Sequence, residues 1–424
     1  MRWWLIGSSD NEPIEGVAIV LPLEGVRVLD LAIMYAGPGS TMYLGDMGAD
    51  VIKIEQHAGD DSRGMLGTPF LGRNTRAFMV MNRNKRGMVL DLRQPAGKEI
   101  LHRLAKTSDV LLHNFRPGVA ERLGIDYPTL QGLNLRLIYA WVSAFGIKGP
   151  YATRGAYDNV IQGYSGLYDV RTRRDGEPTG TGTFISDTSV PMLLGFAIGA
   201  ALWARERTGR GQLLVASLLG LAIASQSPHW VKVQNEAPEE GESYGDDPVE
   251  RACPILECQG GEYLNVALVA DEEWRSFCRA LGRDDLLSDG RFASLEDRAR
   301  HRGDLDQIIA PLFRERTVDE WVQILGQAGV PCIPVVRRNN VVDQPYIVQN
   351  HLFTTVQHPA AGSTRMLNVP VRLMENPGPA QLSDVTGWVR RPAPLQGQDT
   401  DAILGEIGYS ADEIRSLHES NVVA

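Results

Sequence analysis

The sequence predicts an α/β fold: a large domain built on a parallel sheet, followed by a smaller α/β unit. Three observations predict it. From about Leu21, short apolar runs alternate with longer amphipathic segments, the pattern of β-α-β units that assemble parallel sheets. Residues 236–250 carry seven acids and no base, which marks a domain boundary. The chain has 424 residues, more than one domain of about 100–200 residues requires.

The elements follow in order. Val26-Arg27-Val28-Leu29-Asp30-Leu31 reads as a buried strand. Residues 36–40 (Ala-Gly-Pro-Gly-Ser) read as a turn, 41–47 as a helix and 51–54 as the second strand. The unit repeats with a helix over 97–106, a strand over 109–113, a short helix over 128–133 and a strand over 137–142. A Gly/Ala-rich apolar helix follows over 193–205, then a turn at 208–212 and a strand at 213–216. The smaller unit reads as a strand at 263–268, helices at 272–281, 305–313 and 318–329, and an apolar run at 330–335. Tail helices at 401–407 and 411–418 pack back on the first domain. The expected division is an N-terminal extension (1–20), a large domain (21–230), an acidic linker (231–250), a small domain (251–336) and a returning C-terminal segment (337–424).

Hydrophobic residues make up 43% of the chain and charged residues 22%, ordinary values for a globular protein with a sizeable core. A net charge of −10 argues against nucleic-acid binding, which runs on phosphate neutralisation by Lys and Arg. The four cysteines are Cys253, Cys258, Cys278 and Cys332; they are sparse for a disulfide framework in a chain of this length, the Cys253/Cys258 gap is not the C-x-x-C of zinc or thioredoxin-type sites, and free thiols are expected. Trp3-Trp4-Leu5-Ile6 is too short for a signal-peptide core, and no stretch approaches the roughly 20 apolar residues of a membrane helix. The expectation is a cytoplasmic protein with no metal, nucleic-acid or membrane partner. No G-x-G-x-x-G follows the first strand, and G-x-x-x-x-G-K-[ST], H-E-x-x-H and G-x-S-x-G are absent, which disfavours nicotinamide, P-loop, zincin and hydrolase chemistry.

Ligands of open α/β sheets bind at the carboxyl ends of the strands. Basic residues gather near such places: Arg83, Lys85 and Arg86; Arg93; Arg116 and Arg122. In an acidic protein such a lining suits a phosphorylated ligand, with solvated surface charge as the plainer alternative. Asp187 stands just before the apolar helix, where a carboxylate ordinarily caps backbone N–H groups.

Pro22-Leu23-Glu24-Gly25-Val26-Arg27-Val28-Leu29-Asp30, then Ala36-Gly37-Pro38, then Gly48-Ala49-Asp50-Val51-Ile52-Lys53-Ile54-Glu55 resembles the opening of the class III CoA-transferases. Further matches come in order: Asn84-Lys85-Arg86, Leu90-Asp91-Leu92, Asn114-Phe115-Arg116-Pro117-Gly118, Arg122-Leu123-Gly124, Gly149-Pro150-Tyr151-Ala152, Thr208-Gly209-Arg210-Gly211-Gln212, Arg291-Phe292, Gly329-Val330-Pro331 and Ala393-Pro394-Leu395-Gln396-Gly397-Gln398. Each motif is modest; this many in sequence is specific.

The resemblance implies a Rossmann-like parallel-sheet large domain, a smaller α/β domain and an interlocked homodimer. It implies no permanently bound cofactor, with coenzyme A and acyl-CoA as substrates and small carboxylic acids as acceptors. It makes Asp187 the covalent nucleophile, and it places Tyr35, Ala36, Leu90, Arg93, Asn114, Phe115, Arg116, Arg122 and Arg154 against CoA. Two departures stand out: Tyr35 where formyl-CoA-type transferases carry Gln, and Gln56 where the family can carry Arg. Related alpha-methylacyl-CoA racemases keep a His-Asp pair where this chain has Tyr157-Asp158. A tyrosine, with an ordinary pKa near 10, is a poor general base at neutral pH, so the transferase is favoured over the racemase; a CoA-binding regulator is disfavoured because it would leave Asp187 idle. Asp158 then orients the site. Arg171, Arg173, Arg174 and residues 246–251 are candidates for shaping the acid pocket. Succinyl-CoA to a dicarboxylate is the exchange that the family's range suggests. Gly260-Gly261 is the local candidate for a covering glycine loop, with a hairpin turn as the plainer reading.

Overall fold

The structure is a computed structural model and describes residues 21–65, 71–169, 177–231, 249, 252–371, 374–375, 383–384 and 388–424. The chain lays down β1 (Arg27–Asp30), α1 (Ala36–Asp46), β2 (Asp50–Glu55), α2 (Arg76–Met81), β3 (Lys85–Val89), α3 (Pro95–Thr107) and β4 (Val110–His113). It continues with α4 (Val119–Leu123), α5 (Tyr127–Leu133), β5 (Ile138–Ser143), α6 (Asp158–Tyr164), α7 (Ile185–Thr208), β6 (Leu213–Ser217) and α8 (Leu218–Ala224).

The six strands form one sheet in the order β3-β2-β1-β4-β5-β6, and every pairing is parallel. This is the Rossmann strand order, whose direction of winding reverses between the first and fourth strands. Leu29 in the middle of β1 sits opposite Ile52 on one side and Leu111 on the other. Central strands of such sheets are covered on both faces and read as unbroken apolar runs; Val110, Leu111 and Leu112 are all fully buried.

Two compact units emerge. One holds the described residues up to Gly155 together with Asp187–Leu218 and Leu352–Ala424. The other holds the described residues of Ala156–Ser186 and Leu219–His351. These bounds differ from the expected division, which kept 156–186 and 219–230 in the large domain and began the returning C-terminal segment at 337 instead of Leu352. Gln226 shows the physical reason: its amide donates to the Ser165 carbonyl at 3.1 Å, tying those two stretches together.

In the first unit the C-terminal segment closes the sheet at β3. Asp399 and Gly87 exchange hydrogen bonds, the Gly87 N–H to Oδ2 and the Asp399 N–H to the Gly87 carbonyl, both 2.8 Å. Leu90 bridges to Val423. An antiparallel hairpin, Phe353–His358 with Gly362–Leu367, also belongs here and is absent from the sequence-based elements. In the second unit β7 (Ile255–Glu257), β8 (Tyr263–Val266) and β9 (Cys332–Pro334) form an antiparallel sheet. Its core is aromatic: Trp274, Phe277, Phe292, Phe313 and Trp321 are buried, with Phe313 stacked on Trp321 at 4.4 Å. Gly260 and Gly261 make the turn between β7 and β8, both at positive φ, so the plainer reading of that pair holds.

Two helices begin earlier than their sequence suggested. Residues 36–40 are not a turn but the first turn of α1. Pro38 sits there without penalty because a first-turn N–H has no helical partner to lose. The flanking glycines answer to packing: a Cβ on Gly37 would lie 2.3 Å from Ala32 Cβ, and one on Gly39 would lie 2.7 Å from Pro191 Cγ. Likewise α7 starts at Ile185, not near 193, and runs through Pro191. By length and composition α7 is apolar enough to cross a membrane, contrary to the expectation that no stretch of the chain is. Within its unit, Val190, Leu194, Ile198 and Ala201 are buried at helical spacing, the stripe of a core-facing helix.

Candidate active site

The site is assembled by two helices that run side by side. Gly39 in α1 meets Pro191 in α7, and a Cβ on Gly195, four residues further along α7, would lie 3.9 Å from the Tyr43 Cβ, four residues further along α1. Equal steps in the same direction mean parallel helices. One turn back toward both N-termini the same register brings Tyr35 opposite Asp187. Both helices therefore end their positive dipole ends at this place, which favours a carboxylate or developing anion.

Asp187 is half-buried and is the third residue of α7. The expected alternative for it was capping. In the structure Asp158 Oδ1 accepts the Ser186 N–H at this helix start, at 2.7 Å. Asp158 is itself buried and receives the Gln162 amide on its other oxygen. Pro191 has no N–H to offer the carbonyl four residues back, that of Asp187.

Tyr35 is nearly buried, 8% exposed, and is the residue that enters α1. Burial, and then the nearby Asp187 carboxylate, raise its pKa above the ordinary tyrosine value, so the phenol stays protonated. Tyr157, the residue at the racemase-base position, is 67% exposed.

The segment from Ala32 to Met34, just before Tyr35, lies at the β1/β4 switch point and is gripped by side chains. Asp30 Oδ1 accepts the Ala32 N–H at 3.0 Å, and Lys53 Nζ donates to the Ala32 carbonyl. Asn114 takes the Ile33 N–H on Oδ1 at 2.9 Å and returns its own amide N–H to the Ile33 carbonyl at 2.8 Å. Asp60 Oδ1 accepts the Met34 N–H at 3.1 Å. Beneath lies a buried charge network: Lys53–Asp60 at 2.8 Å and Lys85–Asp30 at 2.7 Å, all four side chains without solvent exposure. Burial works against each charge. For Lys53 the neighbouring Asp60, Asp30 and Glu55 win and raise its pKa; for Asp30 the two lysines win and lower it. Lys85 is pushed down by burial to about 8, which still leaves it cationic at neutral pH.

The remaining CoA candidates are distributed as follows. Ala36 opens α1 and is buried. Leu90 is a core residue packed with Leu29, Ile100 and Val423, so its side chain is spent on the core. Arg93 is exposed and forks onto Asp91 at 2.8 and 2.9 Å, holding the Asp91 carboxyl down at about 2. Phe115 follows β4; its ring stacks on His113 at 5.1 Å and its carbonyl accepts the Trp141 indole N–H at 3.0 Å. His113 is buried, with its pKa pushed down to about 3 by burial. Its Nδ1 accepts the Phe115 N–H at 3.1 Å, consistent with a neutral ring carrying its proton on Nε2. Arg116 and Arg122 are exposed, Arg116 lying against Gly155. Arg154 is exposed over the Tyr151 ring at 4.4 Å. Tyr35, Ala36, Asn114 and Asp187 thus converge, while Leu90 and Arg93 lie further along the sheet edge.

The basic run before β3 serves the interior. Arg83 is buried against Asp46 at 2.7 Å, Lys85 against Asp30, and Arg86 pairs with Asp50 and Glu406. Arg83 and Lys85 are therefore corrected from a phosphate lining to internal counter-ions, and Arg86 to a half-buried partner of Asp50 and Glu406. Arg171, Arg173, Arg174, Asp246, Asp247 and Arg251 lie outside the described residues. The site residues missed from sequence are Lys53, Asp60 and His113. A lysine inside Val51-Ile52-Lys53-Ile54 was the available signal, since a charge within a buried strand demands a partner. Among the described residues no cluster of three or more metal-ligating side chains occurs.

The sequence model of CoA-transferase family III matches residues 23–400. Human succinyl-CoA:glutarate CoA-transferase is 30% identical over 423 residues, covering 98% of this chain and 93% of the relative. Formyl-CoA:oxalate CoA-transferase of Rhodopseudomonas palustris is 30% identical, covering 95% of this chain and 97% of the relative. Among solved structures, a CAIB/BAIF family protein from Brucella suis superposes with a TM-score of 0.76 at 29% identity, covering 92% of this chain and all of the other. Rv3272 from Mycobacterium tuberculosis gives 0.76 at 28% identity, covering 90% and 99%.

Proposed function

The chain belongs to CoA-transferase family III, and from that premise we propose that it moves coenzyme A between carboxylic acids through covalent intermediates on Asp187. The observation that carries this reading is the placement of the half-buried Asp187 in the first turn of α7, with the start of α1 and its Tyr35 beside it. A half-buried carboxylate beside two helix N-termini is suited to nucleophilic attack.

The chemistry balances without any added group. The Asp187 carboxylate attacks the acyl-CoA carbonyl; a C–O bond forms, the C–S bond breaks, and an aspartyl–acyl anhydride and CoA thiolate result. The thiolate attacks the aspartyl carbonyl, releasing the first acid and leaving an aspartyl-CoA thioester. The incoming carboxylate attacks that thioester, forming a new anhydride and freeing the thiolate again. Thiolate attack on the new acyl carbon then yields the product acyl-CoA and regenerates the carboxylate. The thioester energy is conserved at each step, and covalent catalysis divides one difficult exchange into easier ones.

The proposal extends to the donor and acceptor acids. Two named ones exchange succinyl-CoA with glutarate and formyl-CoA with oxalate, which supports succinyl-CoA as donor and a short dicarboxylate as acceptor. A homodimer is part of the proposal. Along α7 apolar side chains stay uncovered in the single chain: Phe196 and Trp203 are 73% and 68% exposed, and Met192 and Leu193 on the same helix are exposed too. An apolar surface of this kind is characteristic of subunit contacts.

The test is a CoA-exchange assay with succinyl-CoA and a panel of carboxylates, read by chromatography of the CoA thioesters. Wild type is expected to form a new thioester, and Asp187→Ala to fall to background. Exchange of the substrate α-proton in deuterated water with no movement of CoA would establish the racemase instead.

A further inference from the structure

The segment that carries Tyr35 is held more firmly than a connection between a strand and a helix requires. All of its backbone contacts named above come from β1, β2, the segment after β2 and the segment after β4. Met34 adopts φ +70°, a sparsely populated conformation for a non-glycine residue that persists only where the surroundings impose it. The imposing groups are buried and braced in turn. Asp60 also accepts from the Ser62 N–H and hydroxyl at 2.8 and 2.7 Å. Its own N–H donates to Glu55, which Arg63 grips with two bonds of 2.7 Å. Burying charges on this scale is costly, and preorganisation of a reacting centre is a use that fits its location.

What the clamp delivers is the ring that follows it. Tyr35 is nearly buried and faces Asp187 by the register of α1 on α7. Attack at or by the Asp187 carboxyl places negative charge on a carbonyl oxygen. A donor fixed beside that carboxyl stabilises the charge without reorganising.

We propose that Tyr35 is a further catalytic residue, its hydroxyl donating to the oxygen that gains charge at Asp187, and that Asn114 and Asp60 are positioning residues that act through it. This assignment rests on the Asp187 reading. It also gives Asn114 a role other than contact with CoA, since both ends of its amide are engaged by Ile33. The protonated state of the phenol, maintained by burial, fits a donor and not a base.

The experiment is single-turnover formation of the covalent adduct on Asp187 from succinyl-CoA, by rapid quench and intact mass. It compares wild type, Tyr35→Phe, Asn114→Ala and the double variant, with thermal melting alongside. Tyr35→Phe keeps the ring and is expected to slow adduct formation by about tenfold or more, with half-saturation by acyl-CoA and the melting midpoint unchanged. Asn114→Ala is expected to slow the same step, and the double variant to be no slower than Tyr35→Phe alone, the non-additivity of groups acting as one unit. Asn114→Asp, which keeps the acceptor for Ile33 and loses the donor, is expected to fall between; it serves if Asn114→Ala does not fold. A wild-type rate in Tyr35→Phe overturns the catalytic role. Additive losses, or a raised half-saturation with an unchanged saturated rate in Asn114→Ala, overturn the positioning role. Absence of any adduct in wild type removes the Asp187 reading and this proposal with it, an outcome distinct from the others.

Discussion

Replacing Gly39 by alanine tests whether the contact between α1 and α7 sets the relation of Tyr35 to Asp187. The new Cβ would lie 2.7 Å from Pro191 Cγ and 3.1 Å from its Cβ, with Met81 Sδ at 3.2 Å. Carbon atoms favour separations of about 3.5–4.0 Å, so the helices must part by roughly 1 Å. Overpacking of this kind costs about 1–3 kcal/mol. Alanine returns about 1 kcal/mol through its helix propensity, so the net loss is on the order of 0–2 kcal/mol. A displacement near 1 Å at reacting groups, by contrast, lowers rates on the order of 100-fold. Activity should therefore fall far more than stability. The assay pairs a thermal melt with single-turnover release of CoA. The expected result is a melting midpoint lowered by a few degrees, at about 2–4 °C per kcal/mol for a unit of this size, with a rate roughly 100-fold slower. A Gly39→Ala enzyme that turns over at the wild-type rate refutes the reasoning.

Three other outcomes follow from the same geometry. Lys85→Met removes the donor to Asp30, Pro38 and Asn82, and a broken buried pair costs about 3–5 kcal/mol; an unchanged urea midpoint would contradict the buried network. His113 is held near 3 by burial, while an unfolded histidine titrates near 6.5. The unfolded chain therefore binds this proton first. The contribution is whole above about pH 6.5 and is lost toward acid at up to about 1.4 kcal/mol per unit down to the folded value. Stability of wild type should fall away from that of His113→Gln as pH drops below 6.5; parallel curves would contradict it. Sedimentation should find a dimer in wild type and a monomer in Phe196→Glu/Trp203→Glu, and a dimer that survives both charges would exclude the exposed face of α7 as its interface.

Much of the fold was legible because a parallel sheet buried on both faces writes itself as apolar runs. Five of the six strands of the large sheet, all but β3, fall on such runs, and the order of β-α-β units limited how they could be joined. What escaped was governed by contacts distant in sequence. Ala36-Gly37-Pro38-Gly39 has the composition of a turn, and only the approach of Ala32 and Pro191 explains why these glycines start a helix. Pro191 similarly concealed the first turns of α7. The basic run Arg83-Asn84-Lys85-Arg86 looks like a phosphate lining until Asp46, Asp30 and Asp50 are seen beside it. At the site, Asp187 was found through its motif neighbours, and Tyr35 through a departure from them. The clamp of Lys53, Asp60 and Asn114 joins residues up to 81 positions apart, and no local pattern announces it.

The central claim is that Asp187 becomes covalently bonded to coenzyme A, and intact-protein mass spectrometry tests it most directly. Wild type and Asp187→Ala are each incubated with succinyl-CoA and with a panel of other acyl-CoA donors, then measured with and without hydroxylamine. The expected result is a mass increase of one CoA on wild type, removed by hydroxylamine and absent from the variant. No adduct on wild type with any donor, or an adduct that persists in Asp187→Ala, would contradict it.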